Sequence, residues 1–197
     1  MKKITDEQLM RQFQSGDQQA LERLIRRYEK ELYNFLLKFL GKSSLAEDVF
    51  QEAFLQVYIS ANKFQTHRRF RPWLFTIAAN KARDTIRSQN RHPTVQLNSR
   101  NDDIDYNDLW DNLLRDNNTA DNILQQRQEK QIVRNIIENL PCNLREILLM
   151  AYFQRLSYKE MAEGLGIPLG TVKSRLHSAV AAFSRAYKEQ YKQYERI

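Results

Sequence analysis

The stretch LSYKEMAEGLGIPLGTVKSRLHSAVAAF, which runs from Leu156 to Phe183, decides the fold expected for the C-terminal part of the chain. Ser157 followed by Glu160 three residues later predicts a capping box, so a helix is expected to begin near Tyr158. Gly166 ends that helix, and a second helix follows a short turn. Two short helices joined by a glycine-containing turn indicate a helix-turn-helix motif.

The second helix of this motif carries side chains that suit the major groove of DNA. Val172, Leu176 and Val180 fall at helical spacing and are predicted to face the core. The other faces carry basic and hydrogen-bonding side chains, namely Thr171, Lys173, Ser174, Arg175, His177 and Ser178. Arg and Lys can reach guanine or phosphate, and Ser and Thr can bond either. A helical hairpin with a solvated polar face is the alternative, but cap, turn and basic helix together favour DNA binding.

Composition narrows the class of protein. The 197 residues have room for one large or two small domains, and the formal net charge of +7 favours nucleic acid or an anionic surface as a partner. Five glycines, four prolines and few β-branched runs indicate an all-helical fold. The single cysteine, Cys142, excludes an internal disulfide and is typical of a reducing cytoplasm. We expect neither a signal peptide nor a membrane insertion.

Charge divides the chain into three parts. Residues 1–97 carry a net charge of +7, residues 98–126 carry −5, and residues 127–197 carry +5. The segment 93–119 is rich in Asn and Asp and lacks a sustained apolar stripe, so it is interpreted as an acidic, flexible linker. A solvated spacer and a docking segment are equally open interpretations of it.

The N-terminal part is predicted to form a bundle of four helices. Thr5 with Gln8 predicts a first cap, and Ser44 with Glu47 predicts the cap of a third helix. A long apolar stripe between them ends at Gly41, and a fourth helix is expected from Trp73 to about Gln89. The expected organisation is therefore all-α, with two small helical domains at 1–92 and 120–187, the linker between them and a charged tail at 188–197.

Catalytic and metal sites have almost no support in the sequence. The three histidines have no cysteine pair nearby, and no phosphate-binding glycine loop or nucleophile motif is present. No enzyme activity and no cofactor are therefore expected.

Two segments carry a resemblance to a known family. AEDVFQEAFLQVY (46–58) with FRPWLFTIAANKARDTIR (70–87) resembles region 2 of the sigma factors of bacterial RNA polymerase. LPCNLREILLMAYFQRLSYKEMAEGLGIPLGTVKSRLHSAVAAF (140–183) is similar to their region 4. A chain with these two regions alone and a short link between them resembles the extracytoplasmic-function (ECF) subfamily.

The resemblance implies partners and site residues. Asp48, Gln51 and Glu52 match the segment that binds the beta-prime clamp helices of core polymerase, whose beta subunit is a further expected contact. A solvated helix face is the alternative for these three residues. The implied contacts to melted downstream promoter DNA are Phe64, Arg68, Arg69, Arg71, Asn80, Lys81, Arg83, Asp84 and Arg87. Phe64 is expected to stack on a base and the arginines to contact phosphates, whereas Trp73 suits either stacking or the core.

The upstream promoter element is expected to be bound as duplex by the helix-turn-helix. The implied residues are Ser157, Thr171, Lys173, Ser174, Arg175, His177 and Ser178. Ser178 departs from the family pattern, which usually has a basic residue at this position, so one phosphate anchor is absent.

The sequence therefore predicts a sigma factor that directs core polymerase to promoters and helps to melt them, with an anti-sigma factor as a candidate partner. A stand-alone helix-turn-helix regulator is the alternative, and it predicts a dimer on a symmetric operator. An RNA-binding adaptor is a third possibility, but it would need a larger stacking platform. A flexible linker predicts domains that move independently, whereas a linker lying on the basic surfaces predicts a closed free state.

Overall fold

The computed structural model describes residues 4–91 and 120–194, and all the regular structure within these two ranges is helical. The N-terminal part contains α1 (Asp6–Gln14), α2 (Gln18–Leu40), α3 (Ser43–Ser60), a 3-10 turn (Ala61–Lys63) and α4 (Phe70–Arg91). The C-terminal part contains α5 (Ala120–Asn139), α6 (Cys142–Leu148), a π-helical turn (Leu149–Phe153), α7 (Tyr158–Leu165) and α8 (Leu169–Tyr194). The expected all-α fold is confirmed, and the linker at 93–119 lies outside the described residues.

Local signals at the helix ends of the N-terminal part are mostly confirmed. Thr5 and Gln8 form the predicted capping box at the start of α1. Gly41 ends α2 in the left-handed conformation with φ of 73°, which favours glycine because a Cβ is strained there. The predicted cap of α3 is wrong: Lys42 occupies the cap position without a side-chain hydrogen bond, and Ser44 already lies within the helix. The helix begins at Ser43, which is buried, one residue before the predicted cap.

The largest fully buried side chains of the N-terminal part are aromatic. Phe35, Phe39, Phe70 and Phe75 are fully buried, and the rings of Phe35 and Phe75 meet edge to face with centroids 5.3 Å apart. Helix α4 begins at Phe70, three residues before the predicted start. Pro72 therefore lies in its first turn, where the missing N–H leaves no hydrogen bond unmade.

The π-helical turn continues α6 and widens its last turn. The N–H of Gln154 donates to the carbonyl of Leu149, and the N–H of Leu156 donates to the carbonyl of Met150, each at 3.1 Å. Leu149 and Met150 are fully buried in this turn. Arg155 follows with a φ of 50°, in the left-handed region, so the helical path is interrupted before α7 begins.

Helix α8 is longer than the sequence predicts. It continues to Tyr194, so the segment 188–197, expected as a charged tail, is helical for most of its length. Aromatic rings stack along it at intervals of four residues, with centroids 6.1 Å apart for Phe183 and Tyr187 and 5.9 Å apart for Tyr187 and Tyr191. A hydrogen bond of 2.7 Å to Glu129 of α5 also raises the pKa of Tyr187 to about 12. This packing against α5 explains why the helix does not end near Tyr187.

The two parts of the chain pack directly against each other. Buried residues of both belong to one hydrophobic core, which extends from Leu9 in α1 to Ala179 in α8. Arg145 of α6 donates to the carbonyl of Phe39 at 2.6 Å, and Arg134 of α5 donates to that of Gly41 at 3.4 Å. The C-terminal carbonyls of α2 are therefore bound by arginines of the other part, which also suits the negative end of the helix dipole.

Candidate nucleic-acid and polymerase interfaces

The helix-turn-helix is formed as the sequence predicts. The side chain of Ser157 accepts from the N–H of Glu160 at 3.3 Å, and the N–H of Ser157 donates to Oε2 of Glu160 at 2.8 Å. Gly166 ends α7 in the left-handed conformation with φ of 64°. The turn leads into α8, where Val172, Leu176 and Ala179 are buried.

Burial of that apolar face leaves most of the candidate DNA-reading side chains at the surface. Lys173, Ser174, His177 and Ser178 are exposed, whereas Thr171 and Arg175 are partly buried. The hydroxyl of Ser157 is committed to the helix cap, since it also donates to Oε2 of Glu160 at 2.7 Å. All seven stay predicted DNA contacts, and the exposed four lie at the surface near the start of α8.

The candidate polymerase-binding residues share one exposed face of α3. Asp48, Gln51 and Glu52 are all exposed, and Glu52 lies 3.8 Å from Nζ of Lys81 on α4. Their spacing of three and four residues places them side by side on the helix.

An apolar patch continues this face and was not identified from the sequence. Leu55, Tyr58 and Ile59 expose 59%, 52% and 64% of their surface. The signal was present in the sequence, because positions 48, 52, 55 and 59 follow one another at helical spacing of four, three and four. A stripe that combines acidic, amide and apolar side chains offers both hydrogen bonds and buried area to a partner.

Phe64 is not available to stack on a base. It is only 5% exposed, and its ring packs against Trp73 with centroids 4.6 Å apart and against Phe70 at 6.0 Å. In this structure the loop folds the ring into the core of the bundle. The contact of Phe64 with melted DNA stays a prediction, and it requires the ring to leave this position. Trp73 is partly buried beside it, which favours the core role for this residue.

The three arginines around the start of α4 all have acceptors on the C-terminal part. Arg68 lies 3.0 Å from Glu163, and Arg69 lies 3.1 Å from Glu160. Arg71 donates to the carbonyl of Gln154 at 2.6 Å and to its side-chain oxygen at 2.9 Å. It also pairs with Glu31 of α2 and lies over the ring of Phe75. Sequence reasoning placed these cations at a DNA surface but gave no sign of these partners.

Glu160 joins the cap of α7 to this arginine cluster. Burial alone would raise the pKa of Glu160, but hydrogen bonds from Ser157 and Arg69 outweigh that effect and hold the pKa below its usual value. The carboxylate therefore serves a helix start and a cation of the other domain at once.

The polar side chains of α4 divide into two groups. Asn80, Asp84 and Arg87 are exposed, and Arg87 lies 3.8 Å from Asp84. Lys81 and Arg83 are partly buried. Arg83 contacts Asn80 and forms an ion pair with Glu146 of α6, which the sequence did not predict.

Glu146 is a fully buried carboxylate. Burial raises its pKa, while the charges of Arg83, Arg175 and Arg87 counteract the effect in part. Arg175, a candidate DNA-reading residue, therefore interacts electrostatically with a carboxylate of its own domain, the C-terminal part. Burial also raises the pKa of the nearby Cys142 thiol, so that thiol is a poor nucleophile.

Residues 4–91 and 120–194 contain no group of three or more His, Cys, Asp or Glu side chains that could hold a metal ion. Over the same ranges, the helices are too short or too polar to cross a membrane.

Comparison with known families gives two matches in the expected order. Sigma-70 region 2 matches residues 24–92, and Sigma-70, region 4 matches residues 130–183. The ECF RNA polymerase sigma-E factor of Haemophilus influenzae is 32% identical over 176 residues, covering 89% of this chain and 92% of that protein. The ECF RNA polymerase sigma factor SigW of Bacillus subtilis is 28% identical over 180 residues, covering 91% and 95% respectively.

Solved structures share the same fold. CnrH in complex with the cytosolic domain of CnrY superposes with a TM-score of 0.67 at 24% identity, covering 93% of this chain and 97% of that one. The sigma factor RpoE of Bartonella quintana, in complex with the anti-sigma factor NepR, gives a TM-score of 0.63 at 20% identity, covering 85% and 96%.

The fold and the two matched regions define a helical, DNA-binding protein of the Sigma-70 type. The chain belongs to the ECF sigma factors, and it directs RNA polymerase to promoters. The predicted resemblance and function are therefore confirmed, and the stand-alone regulator is not favoured. This family is not a class of catalysts.

Proposed function

We propose a division of labour between the two domains in promoter recognition. Residues 1–92 bind core polymerase and hold the melted downstream strand, whereas residues 120–187 bind the upstream element as duplex. The observation that carries this proposal is the exposure of two separate surfaces, the Asp48–Gln51–Glu52 face of α3 and the polar face of α8. One surface per domain allows polymerase and duplex DNA to be bound at the same time.

Binding to polymerase centres on the α3 face and its apolar extension. Asp48, Gln51 and Glu52 contact the beta-prime clamp helices, and Leu55 and Ile59 add apolar area to the same contact. The beta subunit is a further partner through the C-terminal domain. Exposed apolar side chains next to charged ones are typical of a protein interface, in which a buried centre is surrounded by polar groups.

Melting uses the binding energy of the opened strand to offset the cost of unstacking, which is a few kcal/mol per flipped base. Because Phe64 is buried, the guanidinium groups of Arg68, Arg69 and Arg71 supply the phosphate contacts and the planar surfaces on which a base can stack. Asn80, Asp84 and Arg87 of α4 add exposed polar contacts to the same strand.

Reconstitution with core polymerase tests this function. Purified chain and core polymerase are mixed with genomic DNA fragments, the 5′ ends of transcripts are mapped, and unpaired thymines are detected with permanganate. The proposal requires specific 5′ ends and local melting only when both proteins are present. Identical transcripts without the chain, or dimer footprints on symmetric sites without polymerase, would contradict it.

An anti-sigma factor is a further proposed partner, and the cytoplasm is the proposed site of action because polymerase works there. The likeness to RpoE of Bartonella quintana, which was solved in complex with the anti-sigma factor NepR, supports the partner. A tagged chain should co-purify with a protein that, once purified, inhibits the reconstituted transcription. A co-purified protein without inhibitory effect would not qualify.

A further inference from the structure

The loop between Phe64 and Phe70, which leads into α4, is held at both ends by side chains of α1. Near its start, Nε2 of Gln14 donates to the carbonyl oxygens of Ala61 and Phe64, at 2.7 and 2.9 Å. At its end, Oε1 of Glu7 accepts from the N–H of Phe70 at 3.0 Å. One short helix therefore contacts the backbone on either side of this loop.

The bonds of the two side chains are complementary in kind. Both partners of Gln14 are carbonyl oxygens, which accept but cannot donate, so these bonds depend on the amide nitrogen. Glu7 instead accepts from the N–H of Phe70, the first residue of α4, which has no acceptor within its own helix. Because all three bonds reach backbone atoms, they fix the path of the loop without fixing the ring of Phe64.

Helix α1 is itself anchored to two other helices. The carboxylate of Asp6 accepts from the hydroxyl of Tyr28 at 2.5 Å and pairs with Arg27, both on α2. The ring of Phe13 packs against that of Tyr58 on α3, with centroids 5.6 Å apart. These contacts keep α1 in place, so it can act as a fixed support for the loop.

The middle of the loop is exposed although its ends are buried. Phe64 and Phe70 are buried, whereas His67, Arg68 and Arg69 lie at the surface. The two arginines are among the residues proposed above to contact the melted strand. A loop that samples many arrangements binds more weakly, because only the fraction in the fitting arrangement is competent to bind.

We propose that α1 is a positioning element for promoter melting, in which Gln14 and Glu7 hold the loop before α4 in the arrangement that binds the melted strand. Both are positioning residues, which act through the backbone of the loop and not by touching DNA. The inference rests on the proposed role of Arg68 and Arg69. It goes beyond that role because α1 lies outside residues 24–92, the part of the chain that matches Sigma-70 region 2.

Gln14→Leu removes the donor at the start of the loop without changing the net charge, and Gln8→Leu is its matched control. Gln8 lies on the same helix, but its side chain accepts from the N–H of Thr5 at 2.9 Å, away from the loop. Each variant is combined with core polymerase, and fluorescence anisotropy measures binding of a labelled single strand that spans the downstream element of a mapped promoter. If the loop then keeps its fitting arrangement in about one molecule in five, Gln14→Leu should bind the strand about fivefold more weakly. Gln8→Leu should bind it like the wild type.

Melting of the same promoter gives a second readout. The permanganate reactivity of unpaired thymines should fall with Gln14→Leu, whereas the affinities for core polymerase and for the upstream duplex should not change. A purely structural role predicts a different result. Strand binding would then follow the free energy of unfolding measured with urea, and it would also fall with Gln8→Leu to the extent that loss of the cap destabilises the chain.

A second pair of variants tests the other end of the loop and keeps the inference falsifiable if Gln14→Leu fails to fold. Glu7→Leu and Glu7→Gln remove the same charge, but only the glutamine keeps an oxygen that accepts from the N–H of Phe70. Glu7→Leu should therefore weaken strand binding by a similar factor, and Glu7→Gln should retain most of the affinity.

Three outcomes would overturn part of this account. Strand affinity and melting that equal those of the controls in both Gln14→Leu and Glu7→Leu would overturn the positioning role while promoter-dependent transcription persists. Equal losses in Glu7→Leu and Glu7→Gln would overturn it as well, because the hydrogen bond to the loop would then not be the cause. Absence of promoter-dependent transcription with the wild-type chain would instead overturn the proposed function.

Discussion

Arg83 on α4 and Glu146 on α6 form an ion pair with 3.2 Å between Nη2 and Oε1, in which the glutamate is wholly buried and the arginine side chain keeps 24% of its exposure. The carboxylate oxygens of Glu146 and Nε of Arg83 have no hydrogen-bond partner within the described parts of the chain. A buried pair with so few hydrogen bonds depends on the presence of both charges.

Removing the arginine alone should therefore destabilise the protein. Arg83→Met leaves the carboxylate buried without its counter-charge, and the expected loss is about 3–5 kcal/mol in the free energy of unfolding. The double variant Arg83→Met/Glu146→Leu should recover most of that loss, because two apolar side chains can replace a buried ion pair at little cost. Urea unfolding of the full chain measures both. Arg87→Met on the exposed face of α4 is the control, and equal losses in Arg83→Met and Arg87→Met would contradict the prediction.

Charge reversal on the α3 face should weaken binding to core polymerase. Asp48→Lys/Glu52→Lys changes two exposed side chains, so folding should be retained while the polymerase contact is lost. The expected loss of affinity is at least about tenfold, since it removes favourable charge pairs and introduces repulsion. A titration of labelled core polymerase measures it.

Glu22→Lys/Glu189→Lys is the matched control for this reversal, because it makes the same change of net charge at exposed positions on α2 and α8. If the two double variants bind polymerase equally well, the α3 face is not the polymerase contact.

Arg175 should discriminate between upstream sequences. Arg175→Ala is expected to cost about 1–3 kcal/mol of binding to the preferred site and to relax specificity at one position, if its guanidinium reads a base edge. Binding of the holoenzyme to upstream duplexes that differ in one base pair measures this. Lys173→Ala is the comparison, because an exposed phosphate contact should weaken all sequences alike and lower the salt slope by about one. A uniform loss with Arg175→Ala would assign it to phosphate instead.

Lys38 should report domain closure through its pKa. Its Nζ lies 4.8 Å from the ring centroid of Phe153 in the π-helical turn, and burial lowers its pKa from 10.5 to about 8. When the domains separate, water returns to Lys38 and the pKa should rise towards 10.5. Gly164→Leu should separate the domains, because a Cβ at Gly164 of α7 would lie 2.1 Å from Oγ1 of Thr76 on α4. Side-chain NMR titration of the wild type and this variant compares the two states, with Lys38→Met to assign the signal.

The sign of the pH dependence follows from that difference. Between about pH 8 and pH 10.5 the open form keeps the Lys38 proton and the closed form releases it, so rising pH should favour closure. Below about pH 8 Lys38 is charged in both forms, so the closing equilibrium no longer changes with pH through this residue. Equal pKa values in the wild type and Gly164→Leu would show that the domain contact does not bury Lys38.

Features that depend on neighbours in sequence were mostly predictable, with the cap expected at Ser44 as the exception. The caps at Thr5 and Ser157 and the glycine ends at Gly41 and Gly166 involve residues no more than four apart, and all four are present. The order of the helices and the buried face of α8 follow from apolar spacing in the same way.

Features that depend on distant residues were not predictable from spacing. Phe64 has the sequence context of an exposed loop aromatic, yet Phe70 and Trp73 bury it. The bonds from Arg71 to Gln154 and from Arg145 to Phe39 join residues 83 and 106 positions apart. Periodicity describes one helix at a time, so it carries no information about which acceptor lies opposite a given arginine.

The π-helical turn at Leu149–Phe153 makes the chain sensitive to length at this point. Loss of one residue would let the turn close as ordinary α-helix, and everything after it would rotate by about 100° and shift by about 1.5 Å. The connection that follows cannot absorb such a change, because Gln154 is buried and bound to Arg71. A one-residue deletion here would therefore change the orientation of the whole of α8 without altering any of its side chains. Loss of a residue from the C-terminal end of α8 would leave that orientation unchanged.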